Sequence, residues 1–280
     1  MNEKETNIII SRIEKWYNRL SEMFVEDRQS LVAEYCWSKE PIPFAKKSEK
    51  KYKSITKGKS WGKEWDSAWF HLTGKIKKEW TNKIIVADLD FSGEGLVYDP
   101  KGNEIQGITN ASIWDPNFVR TRVILPTTCI NKNNVEIWVE AAANSLFGIF
   151  VDPDPEQDNP KRHGSFDAKV ETIDIGVFRK DIWDLYLDAR ILYGLIERLD
   201  KKSVRRARII NTMNNAIIAF KDDAKDAQAS RKILSQELNK RASSSSLKVT
   251  AVGHAHIDTG WALACKRNNP KMCQNIFDTA

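Results

Sequence analysis

Near Ile175 the repeat of apolar side chains along this chain changes from two residues to about 3.6. A chain with such a switch must build a β-rich part and then a helical part. Upstream, from about Trp61, short β-prone runs are separated by Gly, Pro, Asn and Asp, at residues 68–72, 83–89, 95–98, 119–125, 135–140 and 146–151. The turn-forming string Asp99-Pro100-Lys101-Gly102-Asn103 follows the third run. Many short strands at this rhythm predict an antiparallel β-sandwich. Downstream, Ile182, Leu185, Ala189, Leu192, Ile196 and Leu199 alternate steps of three and four, which lines one face of a helix. Helical patterns continue over 204–220 and 223–241. Ahead of the β part, Ile9, Ile13, Trp16 and Leu20 predict an amphipathic packing helix over 6–20.

The serine run 243–246 breaks all periodicity and predicts a connection. Residues 247–252 then read as a short strand of mostly small and β-branched residues. A single strand is no domain, so it either joins a sheet made elsewhere in the chain or opens a further domain, and the second is expected. The divisions that follow are a helical segment over 1–50, a sandwich over 51–175, a helical linker over 176–246, and the opening of a further domain over 247–280. The fold class is multi-domain α+β.

Composition narrows the class. With 280 residues, 41% hydrophobic and ten Trp, the chain can bury a sizeable core and is neither disordered nor collagenous. Cys36, Cys129, Cys265 and Cys273 are too irregularly spaced for a disulfide framework or a C-x-x-C zinc site, and free thiols in a reducing compartment are expected. No export signal is visible at the start, and no apolar run is long enough to span a membrane. The net charge of +6 invites a nucleic-acid reading. The bases, however, lie in an eight-lysine stretch over 46–63 that reads as loop, at Arg205, Arg206 and Arg208 on a helix, and elsewhere among acids. No aromatic platform of RNA-binding type accompanies them, so neither nucleic acid nor membrane is an expected partner.

The chemistry-bearing pattern is His254-Ala255-His256-Ile257-Asp258, two of the chain's four histidines with a carboxylate two residues on. In an extended backbone, residues i, i+2 and i+4 share a side, so these three side chains can converge at the end of a strand. Imidazole and carboxylate suit Zn²⁺, Co²⁺ or Mn²⁺, and a catalytic zinc needs about three protein ligands, so a further ligand is expected from elsewhere. The competing structural reading has one histidine in a core and Asp258 as a helix N-cap. Its position after a β run and before a helix-like tail, where α/β folds place their sites, favours the metal. Trp261 adds an apolar wall, though a core role competes closely.

The stretch Gly253-His254-Ala255-His256-Ile257-Asp258-Thr259-Gly260-Trp261 resembles the motif that opens the catalytic domain of glycoside hydrolase family thirty-eight, the retaining zinc α-mannosidases. Upstream, Trp61-Gly62-Lys63-Glu64-Trp65 with Ala68-Trp69-Phe70, the run Asp90-Phe91-Ser92-Gly93-Glu94-Gly95-Leu96-Val97-Tyr98, Gln106-Gly107-Ile108, Glu140-Ala141-Ala142-Ala143-Asn144 and Asp152-Pro153-Asp154-Pro155 resemble the N-terminal region of its cytosolic, vacuolar-type branch. The resemblance implies that the strand at 247–252 is the first of an α/β barrel-like catalytic domain. It implies a Zn²⁺ or Co²⁺ cofactor held by His256 and Asp258, with His254 supporting them from behind, and Trp261 lining the subsite of the mannose to be cleaved. It also implies α-mannosyl oligosaccharides as substrates and a cytoplasmic or vacuolar location, and it leaves room for a homo-oligomer. An H-x-H after a barrel strand also resembles amidohydrolases, against which the upstream motifs argue.

In that family a carboxylate nucleophile forms a covalent glycosyl intermediate and a second carboxylic acid protonates the leaving oxygen. Both, and the remaining ligands, lie well downstream of the motif, so no catalytic carboxylate is assigned and the 280 residues alone are expected not to turn over. The family's Trp-Leu-Trp-Pro continuation is here Trp261-Ala262-Leu263-Ala264, and Asn268-Asn269-Pro270 interrupts the helix expected after it. The alternative is a non-catalytic carbohydrate-binding or assembly module derived from such an enzyme. Trp61, Trp65 and Trp69 read as core rather than as a sugar-stacking surface, and Asp152 to Pro155 as a rigid loop rather than a Ca²⁺ site.

Overall fold

The computed structural model describes residues 3–110, 119–144, 167–221, 224–241 and 248–253. It divides into two compact units, one of residues 1–26 with 178–250 and one of residues 27–177 with 251–280.

The first unit is helical. It holds α1 (Glu3–Glu22), α2 (Lys180–Arg198), α3 (Val204–Phe220) and α4 (Ala227–Leu238). The stripe Ile13, Trp16 and Leu20 of α1 is buried, as is the stripe Ile182, Leu185, Ala189, Leu192 and Ile196 of α2. Each stripe removes its apolar surface from water by packing on a neighbour, α1 on both α2 and α3. Trp16 meets Phe220 edge to face, and the Tyr17 ring stacks between Tyr186 and Tyr193. Ser203 caps α3, its hydroxyl oxygen accepting the Arg206 N–H, and Lys221 ends it in the left-handed region at φ 46°. Two divisions drawn from sequence are corrected here. Residues 1–50 are not a helical segment, because the chain leaves α1 and at once forms strands. The helices after residue 178 are not a linker, because α1 needs their apolar faces to bury its own.

The second unit is built from β1 (Val25–Ser30), β2 (Val32–Ser38), β3 (Lys53–Ile55), β4 (Ser60–Lys63), β5 (Ser67–Lys75), β6 (Ile85–Asp90), β7 (Glu94–Tyr98), β8 (Glu104–Thr109), β9 (Arg122–Ile124), β10 (Ile130–Asn131), β11 (Asn134–Ala142), β12 (Asp167–Lys169) and β13 (Thr172–Phe178). One sheet runs β1-β13-β6-β9, a larger one β3-β2-β5-β11-β7-β8 with β10 on β11, and β12 pairs β4. The registers between β5, β11 and β7 and between β13 and β6 are antiparallel. The predicted mostly antiparallel sandwich is therefore present. Phe70 and Leu72 of β5, Val97 of β7, Ile137 and Val139 of β11, Ala87 and Leu89 of β6, and Ile173 and Ile175 of β13 fill the space between the sheets, alternating with residues that face outward. On the outer face of the smaller sheet Asp174 and Asp88 stand opposite each other. That like-charge pair is tolerated because Arg122 Nε donates to Asp88 at 2.8 Å, Arg28 pairs with the same carboxylate, and Ser30 donates to Asp174 at 2.5 Å.

Two further expectations are corrected. The lysine-rich stretch 46–63 is not loop throughout: it contains part of a 3₁₀ turn over Phe44–Glu49, then β3 and β4, and Lys47 is buried. Residues 248–252, the described part of the strand expected at 247–252, form no strand, and Val249 and Val252 are exposed. No sheet among the described residues pairs with them, and an isolated strand leaves its N–H and C=O groups unsatisfied. The run 146–151, the turn at 152–155, and Cys265 and Cys273 lie outside the described residues. Cys36 and Cys129 are free thiols in buried positions.

Candidate functional site

His254, His256, Asp258 and Trp261, the residues proposed from sequence for metal and sugar, lie outside the described residues. Among the described residues, no group of three or more His, Cys, Asp and Glu side chains is placed to hold a metal ion. What the structure does bring together are the upstream motif segments, at one end of the larger sheet.

The joint is the register between β11 and β7, where Glu140 faces Leu96 and Ala142 faces Glu94. Just past β11, Asn144 Nδ2 donates to Glu94 Oε2 at 3.1 Å. From the other side of β11, Trp65 N–H donates to Ala143 O and Ala143 N–H donates to Asp66 O. Trp61 Nε1 donates to Phe91 O at 2.9 Å, tying β4 to the turn before β7. In that turn Ser92 takes φ 59°, its N–H bound to Asp90 Oδ1 at 2.8 Å and its hydroxyl bridging to the backbone of Lys169. Segments 61–65, 90–98 and 140–144 thus form one hydrogen-bonded assembly.

Gly93 shows how close the strands come. A β-carbon there would stand 2.4 Å from Ala142 O and 3.0 Å from Asn144 N, both of them backbone atoms that cannot step aside singly. Gly93→Ala is expected to force the two strand ends apart and to cost ~2–4 kcal/mol. Urea denaturation measures this, and an unchanged midpoint would refute the packing argument.

Two carboxyl groups of this end face outward on the sheet and are partly buried. Burial pushes Glu140 up to about 7, opposed by its contact with the Tyr98 hydroxyl at 3.5 Å and assisted by the charge of Glu104. Burial also raises Glu94, against the hydrogen bond from Asn144. Asp90 is raised by its burial as well. The arrangement can therefore keep a proton on Glu140 near neutral pH and offer hydrogen-bond donors and acceptors to a polar ligand. The sequence supplied these glutamates only as members of resembling motifs. Their raised affinity for protons comes from neighbours that a linear pattern does not identify.

Further along the same face, Trp69, Leu96, Tyr98 and Trp138 form a satellite cluster covered by Ile42, Phe44 and Tyr52. Trp69 Nε1 donates to Ile42 O at 2.6 Å. Lys47 Nζ lies 3.9 Å from the Phe44 ring centre and 4.1 Å from that of Trp138, and burial lowers its proton affinity. His71 stacks on Trp138 at 4.0 Å, with Glu136 beside it at 3.1 Å. Trp61 and Trp69 are core, as expected, whereas Trp65 is not.

Residues 28–167 match the family model described as α-mannosidase, jelly roll domain, which is half of the chain. α-Mannosidase G of Dictyostelium discoideum is 25% identical over 99% of this chain and 26% of its own length. α-Mannosidase 2C1 of Mus musculus is 25% identical over 86% of this chain and 22% of its own. The chain thus spans about a quarter of the length of these curated relatives. A β-glucuronidase structure from Ruminococcus gnavus overlaps 55% of the chain and 30% of its own at 14% identity, with a TM-score of 0.37, too loose a superposition to bear on the assignment. Among the described residues, no helix is long and apolar enough to cross a membrane.

Proposed function

The chain belongs to the α-mannosidase family marked by this jelly-roll domain, and from that membership we propose that it forms the leading part of a retaining, metal-dependent glycosidase acting on α-linked mannosyl oligosaccharides in the cytosol. The observation that carries the reading is the match over residues 28–167 together with relatives named α-mannosidase along nearly the whole chain. The convergence of segments 61–65, 90–98 and 140–144 supports it, because the stretches that resemble the family in sequence are also the ones that meet in space.

In this reading His256 and Asp258 hold Zn²⁺ or Co²⁺. A neutral imidazole nitrogen and a carboxylate oxygen are donors of the type such ions take, and they fit the group by chemistry. His254 orients its neighbours by hydrogen bonding, and Trp261 packs its ring against the apolar face of the mannose, holding that sugar and excluding water from it. Such an ion, when bound, would supply a Lewis acid for vicinal sugar hydroxyls and favour a distorted ring. Residues 1–253 supply the scaffold that carries this stretch.

The test is hydrolysis of p-nitrophenyl α-mannoside by the protein that carries these residues. Turnover that is lost on chelation and restored by Zn²⁺ or Co²⁺, with the anomeric configuration retained by NMR, is the expected result. Mannoside binding without turnover would favour a non-catalytic module, and metal-independent turnover would remove the cofactor assignment.

A further inference from the structure

Of the three tryptophans clustered at 61, 65 and 69, two are 4% and 1% exposed, while Trp65 is 37% exposed. Its backbone has φ 67°, the left-handed region that bulky L residues rarely enter. Neighbours enforce that conformation. Trp65 N–H donates to Ala143 O at 2.8 Å, Asp66 N–H donates to Lys63 O at 2.8 Å, and the Asp66 carboxylate accepts the Lys63 N–H at 2.8 Å. Glycine or asparagine would meet the same backbone demand with less strain. More than a third of this indole stays open to solvent at a backbone position that glycine would fill with less strain, which leaves part of its face available to a ligand.

A second observation points to the same place. In the β2–β5 register Trp37 faces Ala68 and Ser38 faces Ser67, so Trp37 stands at the end of the sheet where the Trp65 turn enters β5. Trp37 is 51% exposed. The turn that carries Trp65 is polar, with Lys63 and Asp66 in it. A stable protein interface buries ~800 Å² on each side around an apolar centre, which two rings set in a polar surround do not supply. Flat apolar faces flanked by hydrogen-bonding groups suit a pyranose, whose C–H face stacks on an indole while its hydroxyls reach the rim.

We propose that Trp65 and Trp37 form the stacking platform of a pyranose-binding site at this end of the jelly roll. The choice of a mannoside as probe rests on the function proposed above. With indole ¹⁵N-labelled protein, methyl α-mannopyranoside is expected to move the Trp65 and Trp37 N–H resonances saturably at roughly millimolar concentration and to leave those of Trp61 and Trp69 in place. Trp65→Gly is expected to abolish the response at Trp37, and Trp65→Asn, which also suits the left-handed backbone, repeats the test with a residue that keeps a side chain. Resonances that ignore the sugar, or a Trp37 response that survives both substitutions, overturn the proposal. So do resonances that move only with protein concentration, which assigns the rings to contact between copies. Turnover of an α-mannoside without a Trp65 response sinks the platform and leaves the mannosidase reading intact. A Trp65 response without turnover does the reverse.

Discussion

His256→Ala is expected to lower kcat/KM for an α-mannoside by at least ~10³-fold, equivalent to about 4 kcal/mol of lost transition-state stabilisation. A metal held by few protein ligands would lose both affinity and geometry on removal of one imidazole, and with them the Lewis-acid contribution at the sugar. His254→Ala, which in the proposed arrangement removes a supporting group and no ligand, is expected to cost only ~10–100-fold. Metal content measured alongside turnover should follow the same order. Wild-type rates in His256→Ala would remove that residue from the site, and equal losses in the two variants would remove the distinction between ligand and support. The prediction concerns the protein in which turnover is observed.

Much of the fold was legible because its signals are local. The three-and-four spacing of apolar residues located α2, and the pattern over 204–220 coincides with α3, whose serine cap is a local device. Strands β5, β6, β7 and β11 fall on β-prone runs between turn residues. What escaped depends on distant partners. Val32–Ser38 carries no clean strand signal, because its buried residues, Ala33 and Cys36, stand three apart rather than two. Nothing near residue 10 indicates that α1 will bury its stripe on helices from beyond residue 178. The same limit applies to the candidate site. Gly93, Glu94, Glu140 and Asn144 were visible as motif residues, but the pairing of Ala142 with Glu94 is a matter of register, which short motifs do not encode. Trp65 reads like Trp61 and Trp69 in sequence, and its positive φ and partial exposure are what set it apart. The histidine pair and its carboxylate rest on spacing and resemblance, since they lie outside the described residues.

Glu140→Gln is expected to flatten the loss of stability between pH 5.5 and 8.5. The folded-state pKa of about 7 stands above the ordinary value of 4.5, so the folded chain binds this proton more tightly than the unfolded chain does. Stability from the neutral carboxyl is complete below the lower value and is lost as pH rises through the upper one, because folding must then bury a charge. The full shift would be worth ~3 kcal/mol, and partial exposure of the side chain reduces this to ~1–2 kcal/mol. Tyr98 on β7, which contacts the carboxyl at 3.5 Å, and Glu104 on β8, whose charge repels it, are the titratable groups that act on it. Glutamine keeps the shape and a hydrogen-bonding oxygen but has no proton to lose. Urea denaturation of both proteins at the two pH values measures the effect, with the variant gaining ~1–2 kcal/mol over wild type at pH 8.5 and matching it at pH 5.5. Any slope left in the variant would come from the other buried carboxyls, Glu94 and Asp90, whose affinities for protons are also raised. Superimposable profiles would mean that water reaches Glu140 freely, and the joint between β7 and β11 would then be an ordinary wet sheet end rather than a site that stores a proton.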